Sequence, residues 1–344
     1  MAQNQWSEAD LRARLVHYGE LKPCTSAFID TRTPGSETKE NFTIIGPGVA
    51  ENPEQHVHIN IPHGFNIGGA RQPAGCVNSQ HSHETAEVFV VHSGRWAFTL
   101  GADCEDGHIE LGPGDTISIP IHVFRGFTNI GDGPGFLFAV LGGDDPGHVT
   151  WAPSVFEKAR DYGLVLLKNG RLIDTTAGEQ APEGAEIMPA TTAADVAKLN
   201  RMTTEELARC VVRADDPTTP AVFPFGENIG ITEAPIIGAA CDADGVCAGQ
   251  MSWPHGFQLR RQQLKAGAVS PRFERREEEV LMVQRGKLSL SSDAGEFELG
   301  PGDVMTVPIG MPRVYANPGS EDACVYVVRG GDLPSGFHPN AATH

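Results

Sequence analysis

The chain contains its own copy. Ile61-Pro62-His63-Gly64-Phe65 returns as Trp253-Pro254-His255-Gly256-Phe257, 192 positions later. Gly75, Glu87 and Gly94 return at the same offset as Gly267, Glu279 and Gly286. Leu111-Gly112-Pro113-Gly114-Asp115 returns as Leu299-Gly300-Pro301-Gly302-Asp303, now 188 positions later. The shortening falls in the tip around Ala102 to Gly107, where length change is tolerated. Gly142-Gly143-Asp144 returns as Gly330-Gly331-Asp332. The repeat covers about 55–148 and 247–338, so two copies of one structural unit make up most of the chain.

Each copy reads as β-structure. Phe98 and Leu100 alternate with polar neighbours after the turn at Gly94, and Leu111 to Asp115 turns sharply into Thr116-Ile117-Ser118-Ile119-Pro120. Many short strands between Gly/Pro turns predict an all-β sandwich or barrel, and 40 glycines and 25 prolines in 344 residues agree with that. Trp96 and Phe98 become Leu288 and Leu290 in the second copy, as core positions do.

The remaining segments are mixed. Ser7-Glu8-Ala9-Asp10 forms a capping box, and Leu11, Leu15 and Tyr18 extend a predicted helix over 7–18. Residues 22–54 show little period and are expected to wrap the first barrel or to lie against a partner subunit. Thr191 to Arg213 predicts two short helices, the second opening on Thr203-Thr204-Glu205-Glu206. The resulting division is an arm with a short helix over 1–54, a first barrel over 55–150, a partly helical segment over 151–246 that packs across both barrels, and a second barrel over 247–344.

The net charge of −18 comes without a basic stripe, which argues against a nucleic-acid partner. No apolar run approaches the ~20 residues of a membrane span, and the N-terminus lacks a basic start followed by an apolar run. A cytoplasmic location is expected. Seven cysteines with no C-x-x-C pair read as unpaired thiols in a reducing compartment. Cys241 and Cys247, which flank a loop, are not read as a zinc site.

The chemistry gathers at Gly75 to Gly94. On a strand, His81 and His83 point to one face, and Glu87 follows in the same parity. Two imidazoles and a carboxylate make a metal-ligand set that leaves open positions and favours iron(II). Phe89 and Val91 continue that face as apolar wall, while His92 takes the opposite parity and faces away. His63 and His255 recur in both copies, which assigns them to packing or hydrogen bonding. His56 and His58 sit two apart before the barrel, on a solvated strand face or lining an entrance.

This stretch resembles the first signature of the cupin superfamily, G-x5-H-x-H-x3-E-x6-G, with Gly75, His81, His83, Glu87 and Gly94 at its fixed positions. With the repeat, the chain resembles a bicupin. The resemblance implies two cupin barrels (double-stranded β-helix, or jelly-roll) joined by a partly helical segment. The second signature, G-x5-P-x-G-x2-H-x3-N, is matched by Gly114, Pro120 and Asn129 and by Gly302, Pro308, Gly310 and Asn317. At the family's fourth-ligand position stand Arg125 and Arg313, and a guanidinium cannot ligate a metal. His122, at the family's glycine position, is the alternative fourth ligand and a candidate catalytic group. Arg125 either pairs with Glu87 or clamps a substrate oxygen beside the metal. In the second copy Phe273 and Arg275 replace the histidines, so that barrel is expected to be degenerate. It is then structural or dimer-forming, or an unmetallated ligand pocket, with ion pairs such as Glu279–Arg313.

The resemblance further implies one divalent transition metal per chain, iron(II) first, with manganese, nickel or zinc accepting the same ligands. The implied activity is a dioxygenase acting with O2 on a small aromatic or enolic substrate, with Trp96, Phe98 and Phe124 as candidate walls. Two alternatives stand beside it: a redox-neutral isomerase, decarboxylase or lyase, and a non-catalytic binding protein. Bicupins commonly associate, so a homo-oligomer is expected.

Overall fold

Gly135–Gly142 pairs on one side with Phe65–Gln72 and on the other with Glu87–Ser93, and the first repeat grows outward from that ladder. The computed structural model describes residues 6–216, 221–241, 245–332 and 338–339. The described chain is mostly strand, with four short α-helices. It divides into two compact units, Lys22–Ala214 and Met1–Leu21 with Asp215–His344.

In the first unit, a seven-stranded sheet runs Val211–Val212, Thr116–Ile119, Glu87–Ser93, Gly135–Gly142, Phe65–Gln72, Glu40–Ile45, Val57–Ile59. A five-stranded sheet runs Val149–Trp151, Val77–His83, Arg125–Asn129, Trp96–Leu100, Gly107–Leu111. Non-consecutive neighbours of this kind are the mark of a jelly roll. Its core joins Phe89, Val91, Trp96, Phe98, Ile117 and Phe127. The second unit repeats the order around Glu279–Arg285, Ala323–Gly330 and Phe257–Leu264, with a core of Leu281, Val283, Leu290 and Val327.

The two recurring loops close in the same way. Asp144 accepts from the backbone N–H groups of His63 and Gly64, and Asp332 from those of His255 and Gly256. Each histidine's Nδ1 meets a backbone oxygen two residues back, that of Ile61 or Trp253. Both histidines therefore shape a turn.

Several segments differ from the sequence reading. The N-terminal helix is capped by Ser7 and Asp10 but spans only Glu8–Arg12. Leu15 and Val16 leave it to pair with Met305 and Val304, since a strand partner in the sheet outweighs weak helical propensity. The arm therefore splits: residues up to Leu21 belong with the second repeat, and 22–54 with the first. The segment 151–246 splits as well, at Ala214. Its helices Ala193–Val196 and Thr204–Ala208 carry capping boxes from Thr192 and Thr203. A longer helix, Pro153–Asp161, opens with proline at its first turn and buries Val155 and Ala159 against Ile29, Phe124 and Trp151. No described helix is long and apolar enough to cross a membrane.

Candidate metal centre

His81 and His83 lie at the end of strand Val77–His83, and Glu87 opens strand Glu87–Ser93. A bend at Glu84-Thr85 interrupts the chain between them. The three ligands thus come from two sheets rather than from one continuous strand face. They still converge: one donor atom from each lies within 4.8 Å of the others, and all three side chains are buried.

The histidines are set up as neutral donors. The Nδ1–H of His81 donates to the carbonyl of Ser79 at 2.7 Å, which leaves the lone pair on Nε2. His83 has its Nε2 3.6 Å from Glu87 Oε2, and its buried Nδ1 has no hydrogen-bond partner. Burial, reinforced by the charge of Arg125, holds both imidazoles well below their ordinary pKa. Burial pushes the Glu87 carboxyl up, and Arg125 pulls it partly back.

Arg125 pairs in register with His81 across the neighbouring strand. Its Nη2 lies 2.5 Å and its Nε 3.2 Å from Glu87 Oε2. Nη1 points to the carbonyls of His81 and Val123. No described residue hydrogen-bonds Glu87 Oε1. A metal ion fits this donor set: two neutral imidazoles and a carboxylate oxygen that no described residue hydrogen-bonds.

A second set of side chains braces the first. Lys39 and Asp30 form a buried ion pair, and Lys39 Nζ also donates to Asn78 Oδ1 at 3.1 Å. The amide of Asn78 lies 3.4 Å from His81 Nδ1. Trp151 packs on the His81 ring at 5.2 Å. Its Nε1–H donates to Glu51, which also accepts from the N–H of Ile29. Burial pushes the Glu51 carboxyl up to about 8.

His122 does not join the ligands. It is exposed, and its backbone sits in the left-handed region at φ 59°. The equivalent residue of the second repeat, Gly310, has φ 69°. The turn requires that conformation, and it carries the His122 side chain outward while its N–H donates to the His83 carbonyl. His122 thus contacts His83 through its backbone, and its side chain lies outside the His81, His83 and Glu87 group. His92 stacks on Phe136 and Phe138, away from the ligands. His58 is held by the N–H of Lys22 and the carbonyl of Thr43.

A cavity of about 70 Å³ opens beside the ligands. Trp96, Phe98 and Phe124 take no part in it; they are core. Its walls are instead Phe28, Phe42, Phe89 and Phe127, the polar Asn41 and Thr43, and a floor of Gly68, Gly69 and Ala70. Gly48, Val49 and Ala50 line it as well. The run Gly68-Gly69-Ala70 inside a strand was the available signal, because small residues in a strand interior leave room for something else.

The second repeat carries larger and charged side chains at the matching positions. In register, Glu233, Arg260, Gln262 and Arg329 stand where the first has Asn41, Gly68, Ala70 and Leu141. Glu279 Oε1 accepts from Arg313 at 2.6 Å and from the Tyr315 hydroxyl, and Oε2 accepts from Arg329 at 2.8 Å. Phe273 and Arg275 occupy the histidine positions. No second metal-ligand group is found among the described residues.

The Cupin domain family matches the chain twice, at residues 70–141 and 260–329. No curated protein matches it. Among solved structures, the chain is similar to oxalate decarboxylase from Lactobacillus farciminis in a formate complex, at 11% identity and a TM-score of 0.56, over 94% of this chain and 88% of that one. It is similar to oxalate decarboxylase from Bacillus subtilis at pH 4.6, at 13% identity and a TM-score of 0.53, over 93% and 76%. It is also similar to vicilin from hazelnut, Corylus avellana, at 13% identity and a TM-score of 0.52, over 95% and 88%.

Proposed function

This chain is a bicupin of the cupin superfamily, and on that footing we propose that its first cupin domain is a divalent-metal enzyme of redox-neutral type, a decarboxylase, lyase or isomerase, acting on a small anionic substrate. The cavity carries this reading. A cavity of about 150 Å³ holds benzene, so the 70 Å³ beside His81, His83 and Glu87 suits an acid of a few heavy atoms rather than an aromatic ring. Charge points the same way. Glu87 and Arg125 offset each other, and the imidazoles are neutral, so a divalent ion makes the buried site positive and selects an anion.

When bound, the ion supplies Lewis-acid polarisation of a substrate oxygen. His81, fixed by the Ser79 carbonyl, and Glu87, fixed by Arg125, hold the ion in place. Asn41 and Thr43 offer polar groups on the cavity wall to orient substrate oxygens. Structures of Bacillus subtilis oxalate decarboxylase are described with Mn(II) centres, which puts manganese beside iron(II) as the ion to load first.

The test is turnover of short carboxylates and β-keto acids by anaerobically purified protein loaded with Mn(II) or Fe(II), under nitrogen and under air. We expect about one metal ion per chain, lost in His81→Ala, and product formed equally in both atmospheres. Product that requires oxygen uptake would restore the oxygenase reading. Full metal content without turnover of any substrate would leave a binding protein.

A further inference from the structure

The interior of the second cupin domain holds more positive charge than negative. Arg260, Arg275, Arg313 and Arg329 are each 3% exposed or less. Among the described residues, the buried carboxylates that face them are Glu233 and Glu279, with the half-buried Glu278 beside Arg313. Glu279 is taken by Arg313, Arg329 and Arg275. Glu233 accepts from Arg329 Nη2 at 2.8 Å and from Gln262 Nε2 at 2.8 Å.

Among the described residues, Arg260 has no carboxylate within hydrogen-bonding distance. Its Nη2 donates to Gln258 Oε1 at 3.3 Å. The Glu233 oxygen lies 3.9 Å from its Nε, too far for a hydrogen bond. Nε and Nη1 are buried and have no hydrogen-bond partner. A guanidinium does not give up its proton to escape this. Burial, opposed by the charge of Glu233 and assisted by Arg329 and Arg275, lowers its pKa only to about 10. A buried cation with empty donors calls for an anion.

Its place in the fold sharpens the point. Arg260 occupies the register position of Gly68, which floors the first domain's cavity. The guanidinium therefore stands where the first domain keeps its ligand space. We propose that the second cupin domain is an anion site: a compact monoanion, a halide or a formate-sized carboxylate, binds Arg260 and balances the arginine surplus. No metal ligand of the first domain takes part in it. The anion completes the ion-pair network, so the folding of this unit depends on anions.

The experiment uses the full chain, dialysed into Hepes–sodium hydroxide buffer free of halide and small carboxylates. Thermal unfolding is followed as sodium bromide or sodium formate is added, and Arg260→Gln is run in parallel to subtract the general effect of salt. In the wild-type chain we expect a saturable rise in melting temperature, absent from the variant. Bromide acting alone marks a halide site, and formate acting marks a carboxylate site; either supports the proposal. Crystals grown with bromide give a readout that needs no variant, an anomalous peak within hydrogen-bonding reach of Arg260 Nε or Nη1. No saturable shift, an equal shift in Arg260→Gln, or a water molecule at that position in the bromide crystal would overturn it.

Discussion

Arg125 Nη2 sits 2.5 Å from Glu87 Oε2, and both side chains are buried. The arginine therefore neutralises the carboxylate that a metal would otherwise neutralise. Removing one partner of a buried pair costs about 3–5 kcal/mol, because the other charge is left uncompensated. Arg125→Met should lower the stability of the chelator-treated protein by that order. A divalent ion would then replace the lost positive charge, so the gap in melting temperature between chelator and manganese should widen in the variant. Calorimetry under both conditions checks this. An equal loss with and without metal would mean that Arg125 acts elsewhere.

His122 sits at φ 59°. The left-handed conformation costs a residue with a Cβ about 1–2 kcal/mol, and glycine gives back about 0.5–1 kcal/mol through its freer unfolded chain. His122→Gly should therefore gain stability by about 0.5–1 kcal/mol and leave the metal content unchanged. Metal analysis beside urea unfolding tests both parts. A drop in bound metal would return His122 to the ligand set.

Glu51 carries its proton to about pH 8 in the folded chain and to about 4.5 when unfolded. A group whose folded pKa is raised contributes stability that is complete below its unfolded pKa and lost as pH rises through the folded value. The wild-type protein should therefore lose stability relative to Glu51→Gln between about pH 4.5 and 8. The amide can accept from only one of the two N–H donors, Trp151 Nε1 and Ile29 N. It should thus be about 1 kcal/mol less stable at pH 5. Chemical unfolding across that pH range gives both quantities; parallel curves would show that Glu51 is already ionised at pH 5.

The convergence of His81, His83 and Glu87 was legible because their spacing is fixed: they stand at the same intervals in the sequence as in the signature. The doubled architecture was legible because Leu-Gly-Pro-Gly-Asp and Pro-His-Gly-Phe occur twice. The cavity was not. Asn41 and Phe42 reach it only because Glu40–Ile45 pairs with Phe65–Gln72, and no local pattern announces a partner that far along the chain. The sheet change between His83 and Glu87 was hidden for the same reason, since parity counts residues and cannot see a bend. His122 misled because a histidine beside a metal motif looks like a ligand until its backbone dihedral is known. The arginine surplus was visible as Arg275 and Arg313, but Arg260 enters it only through strand register.

The pairing of Leu15 with Met305 has a consequence for synthesis. Arg14 donates through Nη1 to Thr306 Oγ1, 292 residues further on. At about 5–20 residues per second, a ribosome takes roughly 15–60 seconds to deliver that partner. Before that partner arrives, Lys22–Ala214 already has all of its own strands and is free to fold, while the segment around Leu11 waits uncovered. The Leu11 segment is made before Lys22–Ala214 but can find its place only after it, and Leu11 with its neighbours is where a chaperone has a long opportunity to bind.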